Sequence, residues 1–330
     1  MLRAHAGPAA GGKTTTRTVR QQLLVGLLIV PSVLAAERPF YARKDISNPD
    51  KIGHRTVAQR SIISPEKEIA IGKHFAAEAG KEVQFVRDPL VEGYVAAVAG
   101  SVVRNSDWKG AVTVKVVSSS DLNAFSLPAG FIYVTSGLLL SAENEDEIAG
   151  AIGHQVAHAA LRTWASVMTK VQIMQVAMIP LIYAPSGSAA CSGFLASRRE
   201  SFGVPMMFLK FGRQAELQAD YLGLQYMYKA GYDPRVYVAL LRKLTATDTS
   251  SQSVPAALQD FPPASQRIAQ AEEEIRMILP NPPLPAKPSP EFILMKSRLR
   301  DLAQPPAPVP SPEGRPTLRR APVHEDPTAW

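Results

Sequence analysis

Apolar residues recur at helical spacing through most of the chain from about Ser64 onward. Two predicted helices begin with a capping side chain followed by proline, at Ser64-Pro65 and at Asp88-Pro89. The capping oxygen accepts backbone N–H groups of the first turn, and proline suits the first helical position. A further helix is predicted through "RQAELQADYLGLQYMYKA" (213–230). This part of the chain is therefore predicted to be mostly helical.

Two short stretches have the pattern of strands instead. In "AVTVKVV", Val112, Val114 and Val116 alternate with other residues, which predicts a half-buried strand. "GFIYVT" (130–135) is a second candidate strand. The predicted fold class is α+β, mostly helical, with a small sheet.

The stretch "SAENEDEIAGAIGHQVAHAALR" predicts a long helix. Acidic residues crowd its start, where the helix dipole favours negative charge. Ile148, Ile152 and Val156 then recur at helical spacing, so His154 and His158 are predicted to lie in the middle of the helix. Side chains on so regular an element are held rigidly.

The first 36 residues differ from the rest in charge and hydropathy. Four basic residues and no acidic residue precede the apolar run "LLVGLLIVPSVLAA" (23–36). This pattern predicts a secretory signal peptide over residues 1–36, cleaved after Ala35 or Ala36. An uncleaved N-terminal anchor is the alternative, although the run is shorter than the roughly 20 residues of a bilayer span. We therefore expect an exported protein, periplasmic or associated with the cell envelope.

Composition argues against a wholly disordered chain, a nucleic-acid-binding protein and a disulfide-stabilised scaffold. With 330 residues, 46% of them hydrophobic and 20% charged, the chain has enough apolar material for a sizeable core. The net charge of +7 falls to +3 without the four basic residues of the leader, so we expect no nucleic-acid partner. Cys191 is the single cysteine, which rules out an intramolecular disulfide.

The predicted organisation has four parts. After the signal peptide (1–36), residues 37–63 are expected to form an N-terminal linker and residues 64–279 the folded domain. Residues 280–330 are rich in proline and polar residues, which predicts an extended, disordered tail. Four apolar residues of the tail have the spacing of one short amphipathic helix: Phe292, Met295, Leu299 and Leu302.

His154 and His158 carry the clearest chemical signal. Residues four apart lie on one face of a helix, so both imidazoles can reach a single ion. Two neutral imidazoles suit Zn²⁺, which takes a third protein ligand and leaves one position for water. Glu216 on a second helix is the candidate third ligand, and Asp220 on the same face is suited to hydrogen-bond a ligating histidine. The alternatives are a metal-free module in which the histidines merely pack, and an Asp220 that pairs with Arg213.

Several motifs follow one another in order between about Ser64 and Ile268: "EIAIGKHFAAE", Asp88-Pro89 with Tyr94-Val95, "NAFSLPAGFIYVTSGLL", the "HQVAH" helix, "GRQAELQAD" with "LGLQYMYKAGYDP", and "PPASQRI". In this succession the chain resembles the gluzincin-type zinc metallopeptidases, the family of HtpX, BepA and the CAAX prenyl proteases, and is most similar to the soluble periplasmic branch. The resemblance implies a gluzincin-like zinc metallopeptidase domain over residues 64–279. It also implies zinc on the two histidines and Glu216, with Asp220 supporting a ligand.

The resemblance further implies where substrate binds. Asn123, Ala124 and Phe125 would lie on the edge strand along which family members bind extended polypeptide by backbone pairing. Unfolded or extended polypeptide segments are therefore the expected partners. The apolar stretches 171–184 and 204–211 are interpreted either as ordinary core or as a surface that contacts the membrane or envelope proteins peripherally.

Two positions depart from the family pattern. Gln155 stands where the family has the glutamate of HExxH, and Phe261 stands where it has a histidine near the metal. A carboxylate at position 155 would take the proton of the attacking water, a contribution of about 10²–10⁴ in rate, and a carboxamide cannot do so. Both changes remove proton-handling groups and spare the three candidate ligands. The double departure favours a natural pseudo-peptidase over a single designed knock-out.

Two functions follow from these observations. In the first, a peptidase-derived protein keeps zinc and a groove for extended peptide, and serves a chaperone-like or regulatory role in the envelope. In the alternative, an active zinc metalloendopeptidase degrades misfolded envelope proteins with a substitute base. The substitution at Gln155 favours the first.

Overall fold

A computed structural model describes residues 40–182, 206–247, 263–285 and 287–303. In these ranges, 3₁₀ turns lie at Phe40–Ala42, Pro49–Lys51 and Pro128–Gly130. The helices and strands of these ranges follow in chain order: α1 Pro65–Glu82, α2 Pro89–Arg104, β1 Thr113–Val117, β2 Ala124–Leu127, β3 Phe131–Thr135, α3 Ser136–Ser141, α4 Glu145–Leu161, α5 Thr163–Ile182, α6 Met206–Lys229, α7 Pro234–Thr247, α8 Ala264–Ile278 and α9 Pro290–Ala303. The predicted class, mostly helical with a small sheet, is confirmed.

Capping side chains start the helices where the sequence places them. Ser64 accepts from the backbone N–H of Lys67, and Asp88 accepts from the N–H groups of the first turn of α2. Asn144 caps α4 in the same way, and an acidic first turn follows it. α4 ends at Arg162, whose left-handed backbone (φ 52°) breaks the helix and starts α5 in a new direction.

Within the described ranges, the sheet has three strands in the order β1-β3-β2. β3 lies in the middle, parallel to β1 and antiparallel to β2. The far side of β1 is covered by a short extended segment that pairs Phe85 with Val117. β2 is left as the outer edge of the sheet, and it lies against α4.

α4 forms the centre of the core. Ile148, Ile152 and Val156, which the sequence pattern singled out, are fully buried. The helix packs against α6, α2 and α7. An element enclosed on several sides holds its side chains in fixed positions, which makes it a suitable platform for chemistry.

Residues 40–63 differ from the linker that the sequence suggested. Ile46, Ile52 and Val57 of this segment are buried in the main core. Arg55 holds the segment in place through an ion pair with Asp107, in which the two side chains are 1% and 0% exposed. The sequence did not reveal this packing because the apolar residues of the segment follow neither a helical nor a strand period.

The predicted amphipathic helix of the tail is present as α9. Phe292, Met295 and Leu299 are buried, whereas Leu302 is 46% exposed. α9 packs against α2 and α3, so the folded unit extends beyond position 279.

Some predictions concern residues outside the described ranges: the signal peptide, Cys191, Phe261 and the tail beyond Ala303. Among the helices that the structure does describe, none has both the length and the apolar character needed to cross a bilayer.

Candidate metal centre

His154 and His158 lie one turn apart on α4, and their rings face the same point. Their Nε2 atoms are 3.0 Å apart, and the ring planes meet at 87°. The spacing of four residues on a rigid helix produces this arrangement. The two imidazoles therefore present a pair of nitrogen donors to one small volume.

Glu216 reaches the same volume from α6. Its Oε2 lies 3.3 Å from His154 Nε2, and its Oε1 lies 3.3 Å from His158 Nε2. One donor atom from each residue falls within 4.8 Å of the other two. The structure thus brings together the three side chains that the sequence predicted as ligands.

These donors suit a zinc ion. Two imidazole nitrogens and a carboxylate oxygen are a ligand set of catalytic zinc sites. Donors bonded tetrahedrally at about 2.0–2.1 Å lie roughly 3.3 Å from one another, close to the separations of 3.0 and 3.3 Å seen here. The residues present could therefore hold zinc with little movement.

Two glycines set the distance between the ligand-bearing helices. Gly153 of α4 faces Gly223 of α6, and a Cβ on Gly153 would lie 3.0 Å from the carbonyl oxygen of Gly223. Such a contact is tighter than nearly all contacts of real Cβ atoms, so a larger residue would press against the backbone of α6. The close approach allows the short Glu216 side chain to reach both histidines.

Asp220, one turn beyond Glu216, orients His154 from the opposite side of its ring. Its Oδ1 lies 2.9 Å from His154 Nδ1, which holds a proton on Nδ1 and leaves Nε2 facing the other candidate ligands. Tyr237 donates to the same carboxylate oxygen at 2.7 Å. Arg267 donates to both carboxylate oxygens, each at 2.7 Å. Asp220 is thereby fixed by partners from α7 and α8.

His158 is oriented by a different element. Its Nδ1 lies 3.1 Å from the hydroxyl oxygen of Thr163, the first residue of α5. The left-handed backbone at Arg162, where α4 ends and α5 begins, places Thr163 beside the ring. Both candidate histidine ligands therefore have a hydrogen-bond partner on the nitrogen that faces away from the site.

Strong charge coupling accompanies this geometry. Burial tends to raise the pKa of Asp220, but the charge and hydrogen bonds of Arg267 outweigh burial and hold that pKa below its usual value. Burial tends to lower the pKa of His154, yet Asp220 and Glu216 outweigh it and raise that pKa to about 9. Burial likewise tends to raise the pKa of Glu216, and the two histidines hold it well below 4.5. Glu216 is therefore ionised, and a metal ion at this site would have to displace a proton from His154.

Gln155 lies beside the candidate ligands but faces β2. Its Nε2 donates to the backbone carbonyl of Ala124 at 2.9 Å, and its Oε1 accepts from the Ser126 hydroxyl at 2.8 Å. The side chain is 7% exposed. Both ends of the amide are thus occupied by the edge strand, and the amide has no group that takes up a proton.

The predicted substrate-binding residues line a groove of about 530 Å³ that also contains the three candidate ligands. Asn123 pairs its backbone with β3, through its carbonyl and the N–H of Thr135. Phe125 stacks on Tyr133, with the ring centroids 5.0 Å apart. Ala124, between them, turns its carbonyl away from β3 and toward α4. The apolar walls and a polar floor are typical of a site for a peptide.

Four side chains that hold this site together were not predicted from the sequence: Ser126, Thr163, Tyr237 and Arg267. Arg267 belongs to the "PPASQRI" motif, and its position there was the available signal. Tyr237 gave no signal, because a tyrosine on an amphipathic helix is usually a core residue.

The helical domain has a small sheet, and its site brings together two histidines one turn apart and a carboxylate on a second helix. These are features of a metallopeptidase domain of the gluzincin type. The comparison with known families agrees: the model for peptidase family M48 matches residues 89–275. The chain belongs to peptidase family M48. Peptidases of this family depend on a metal ion, typically zinc.

Individual relatives come from bacteria and from mitochondria. The beta-barrel assembly-enhancing protease of Escherichia coli K12 is 24% identical over 285 residues, which is 83% of this chain and 56% of that protein. The mitochondrial metalloendopeptidase OMA1 of Arabidopsis thaliana is 35% identical over 164 residues, covering 49% of this chain and 30% of that protein. OMA1 of Schizosaccharomyces pombe is 29% identical over 176 residues, covering 53% and 49%. The chain spans about half the length of the curated relatives it matches, or less.

Proposed function

We propose that this chain is an exported zinc-binding member of family M48 whose peptidase step is impaired. Its role is to hold extended or unfolded polypeptide in the cell envelope, in a chaperone-like or regulatory way. Zinc would be held by His154, His158 and Glu216, with Asp220 orienting the first of them. The predicted signal peptide over residues 1–36 and the similarity to a protease named for β-barrel assembly support the location.

One observation carries the proposal. The three candidate ligands keep the spacing that a metal needs, while the neighbouring Gln155 amide bonds to Ala124 and Ser126. A bound zinc ion would polarise a peptide carbonyl and lower the pKa of a water molecule toward about 7. Hydrolysis also requires a group that takes a proton from the water and delivers it to the leaving amine. Gln155 does neither, because a carboxamide has no basic atom at neutral pH.

Two features of the groove suit an extended peptide. β2 is an edge strand, and a sheet edge binds extended peptide by main-chain hydrogen bonds. Apolar side chains of α5 and α7 line the opposite wall, including Val167, Leu240 and Leu244. The chain therefore combines a peptide-binding surface with an impaired catalytic step.

The test measures metal and cleavage on the same sample. The purified chain is analysed for zinc by mass spectrometry and incubated with casein, beside Gln155→Glu. We expect about one zinc per chain, no cleavage by the unaltered protein, and cleavage once the glutamate is present. If Gln155→Glu stays inert, Phe261→His is the second reversion to add. The double variant His154→Ala/His158→Ala should contain no zinc.

Two results would overturn the proposal. Cleavage by the unaltered chain that stops on chelation would mean that another residue serves as the base, and the protein would then be an active metalloendopeptidase. Absence of bound zinc in a folded sample would mean that the histidines only pack against Glu216.

A further inference from the structure

The outer edge of β2 has an alternating pattern of backbone groups. Asn123 accepts from Thr135 in β3, at an N···O distance of 3.1 Å. In an antiparallel ladder, successive residues turn their backbone groups to opposite sides, so Ala124 and Ser126 present theirs to the outside. An extended peptide that adds to this edge must bond to those groups.

The Gln155 side chain already occupies this edge. Its carboxamide has the donor and acceptor of a peptide group, and it uses both: Nε2 donates to the Ala124 carbonyl, and Oε1 accepts from the Ser126 hydroxyl. The contact joins the helix that carries His154 and His158 to the strand on which peptide would pair. Ala124 O is the acceptor that an incoming peptide N–H would use.

We infer that Gln155 is an internal peptide mimic that latches the edge of β2 and competes with extended polypeptide for the Ala124 carbonyl. The inference rests on the proposed function, since it concerns the same groove. It assigns to Gln155 a role of its own, beyond the absence of a base. Polypeptide enters only when the amide releases the strand, so the latch lowers affinity and favours segments that pair well along β2.

The latch requires an amide. A glutamate at position 155 would still accept from Ser126, but its carboxylate has no hydrogen for the Ala124 carbonyl and would repel that oxygen. The substitution that removes the base therefore also creates the donor that closes the edge. One residue change couples the two effects.

The test compares Gln155→Met with Gln218→Met. Methionine keeps approximately the length of the side chain and removes both polar ends. Gln218 is a matched control, because it is 5% exposed, lies on α6 and bonds to Gln59 instead of β2. Two readouts are taken: the anisotropy of fluorescein-labelled casein, and hydrogen–deuterium exchange of residues 123–127.

The latch predicts a difference in both readouts. Gln155→Met should bind casein about 2- to 10-fold more tightly than the unaltered chain, since one or two neutral hydrogen bonds no longer compete. Gln155 bonds to a carbonyl and a hydroxyl of β2 and thereby anchors the strand to α4, so its loss should let β2 separate from β3 more often. Exchange of the backbone N–H groups of residues 123–127 should therefore accelerate in Gln155→Met and stay unchanged in Gln218→Met. Equal or weaker casein binding by Gln155→Met, or unchanged exchange in 123–127, overturns the latch.

A different result would contradict the proposed function. If neither the unaltered chain nor any variant binds casein, the groove does not hold extended polypeptide. The exchange of residues 123–127 then still decides whether Gln155 closes the edge of β2, since that readout requires no peptide.

Discussion

Gly223 of α6 lies directly against the backbone of His154. A Cβ placed on Gly223 would be 2.9 Å from the His154 backbone nitrogen and 3.0 Å from its Cα. The two helices that provide the candidate ligands therefore touch through their main chains at this point. Such contact links the packing of the core to the geometry of the site.

Gly223→Ala should consequently weaken both folding and metal binding. The added methyl group forces α6 away from α4, at a cost of about 1–3 kcal/mol in the free energy of unfolding. The shift also moves Glu216 away from the histidines, so we expect at least a tenfold loss in zinc affinity. Urea denaturation and competition with a chelating dye measure the two effects.

Gly93→Ala is the control for that substitution. Gly93 lies on α2, and no atom of the described residues lies within 4 Å of a Cβ built there. Alanine should stabilise the helix by about 0.5–1 kcal/mol and leave zinc affinity unchanged. Equal effects of the two alanines would contradict the role assigned to Gly223.

The contributions of Asp220 and Arg267 to stability should depend on each other. The pair is nearly buried, with side chains 1% and 17% exposed, and Asp220 also contacts His154. Asp220→Asn should lower zinc affinity about 10- to 100-fold, because His154 loses its charged partner. Arg267→Met should cost about 3–5 kcal/mol in stability, since it leaves a buried carboxylate without its cation.

The double variant Asp220→Asn/Arg267→Met tests the coupling. With both charges removed, its loss of stability should be clearly smaller than the sum of the two single losses. Urea denaturation of all four proteins completes the cycle. Additive losses would show that the two side chains act independently.

The sequence predicted those parts of the molecule that local patterns encode. Ser64 and Asp88 predict helix starts because their side chains can cap a first turn. The periodicity of Ile148, Ile152 and Val156 identifies the central helix. The histidine pair was visible because both residues lie on one helix face, where spacing alone brings them together.

The remaining parts depend on contacts between distant segments. Arg267 reaches Asp220 from 47 positions away in the chain, and Arg55 reaches Gln225 from 170 positions away. No spacing rule links such residues. The bond of Gln155 to Ala124 also escaped prediction, because it depends on which backbone groups of β2 face outward.

Glu274 provides a prediction about pH. Burial raises the pKa of its carboxyl well above 4.5, and the hydrogen bond from Gln225 opposes the rise. Its Oε2 has no hydrogen-bond partner among the described residues. The carboxyl is therefore protonated in the folded protein at a pH where the unfolded chain has released that proton. The stability that depends on this proton is complete below pH 4.5 and is lost as pH rises toward the raised pKa.

Glu274→Gln should remove this dependence. Glutamine carries no titratable proton and can still accept from Gln225, so the variant should gain stability over the unaltered chain as pH rises from 4.5 to 8. We expect a gain of about 1 kcal/mol or more at pH 8, since one pKa unit corresponds to roughly 1.4 kcal/mol. Urea denaturation at both pH values measures it. Glu272→Gln, on the exposed side of the same helix, should show no such gain, and a gain common to both variants would refute the argument.

Met295 tests whether α9 is part of the folded domain. Its side chain is fully buried between α9 and the helices beneath it, although the sequence assigned this region to a tail. Met295→Ala should lower the free energy of unfolding by about 2–5 kcal/mol, as for other large apolar side chains removed from a core. Leu302→Ala on the same helix should change it by less than about 0.5 kcal/mol, because Leu302 is 46% exposed. Urea denaturation distinguishes the two. Equal, small effects would mean that α9 does not pack on the domain in solution, and that the domain ends near position 279 after all.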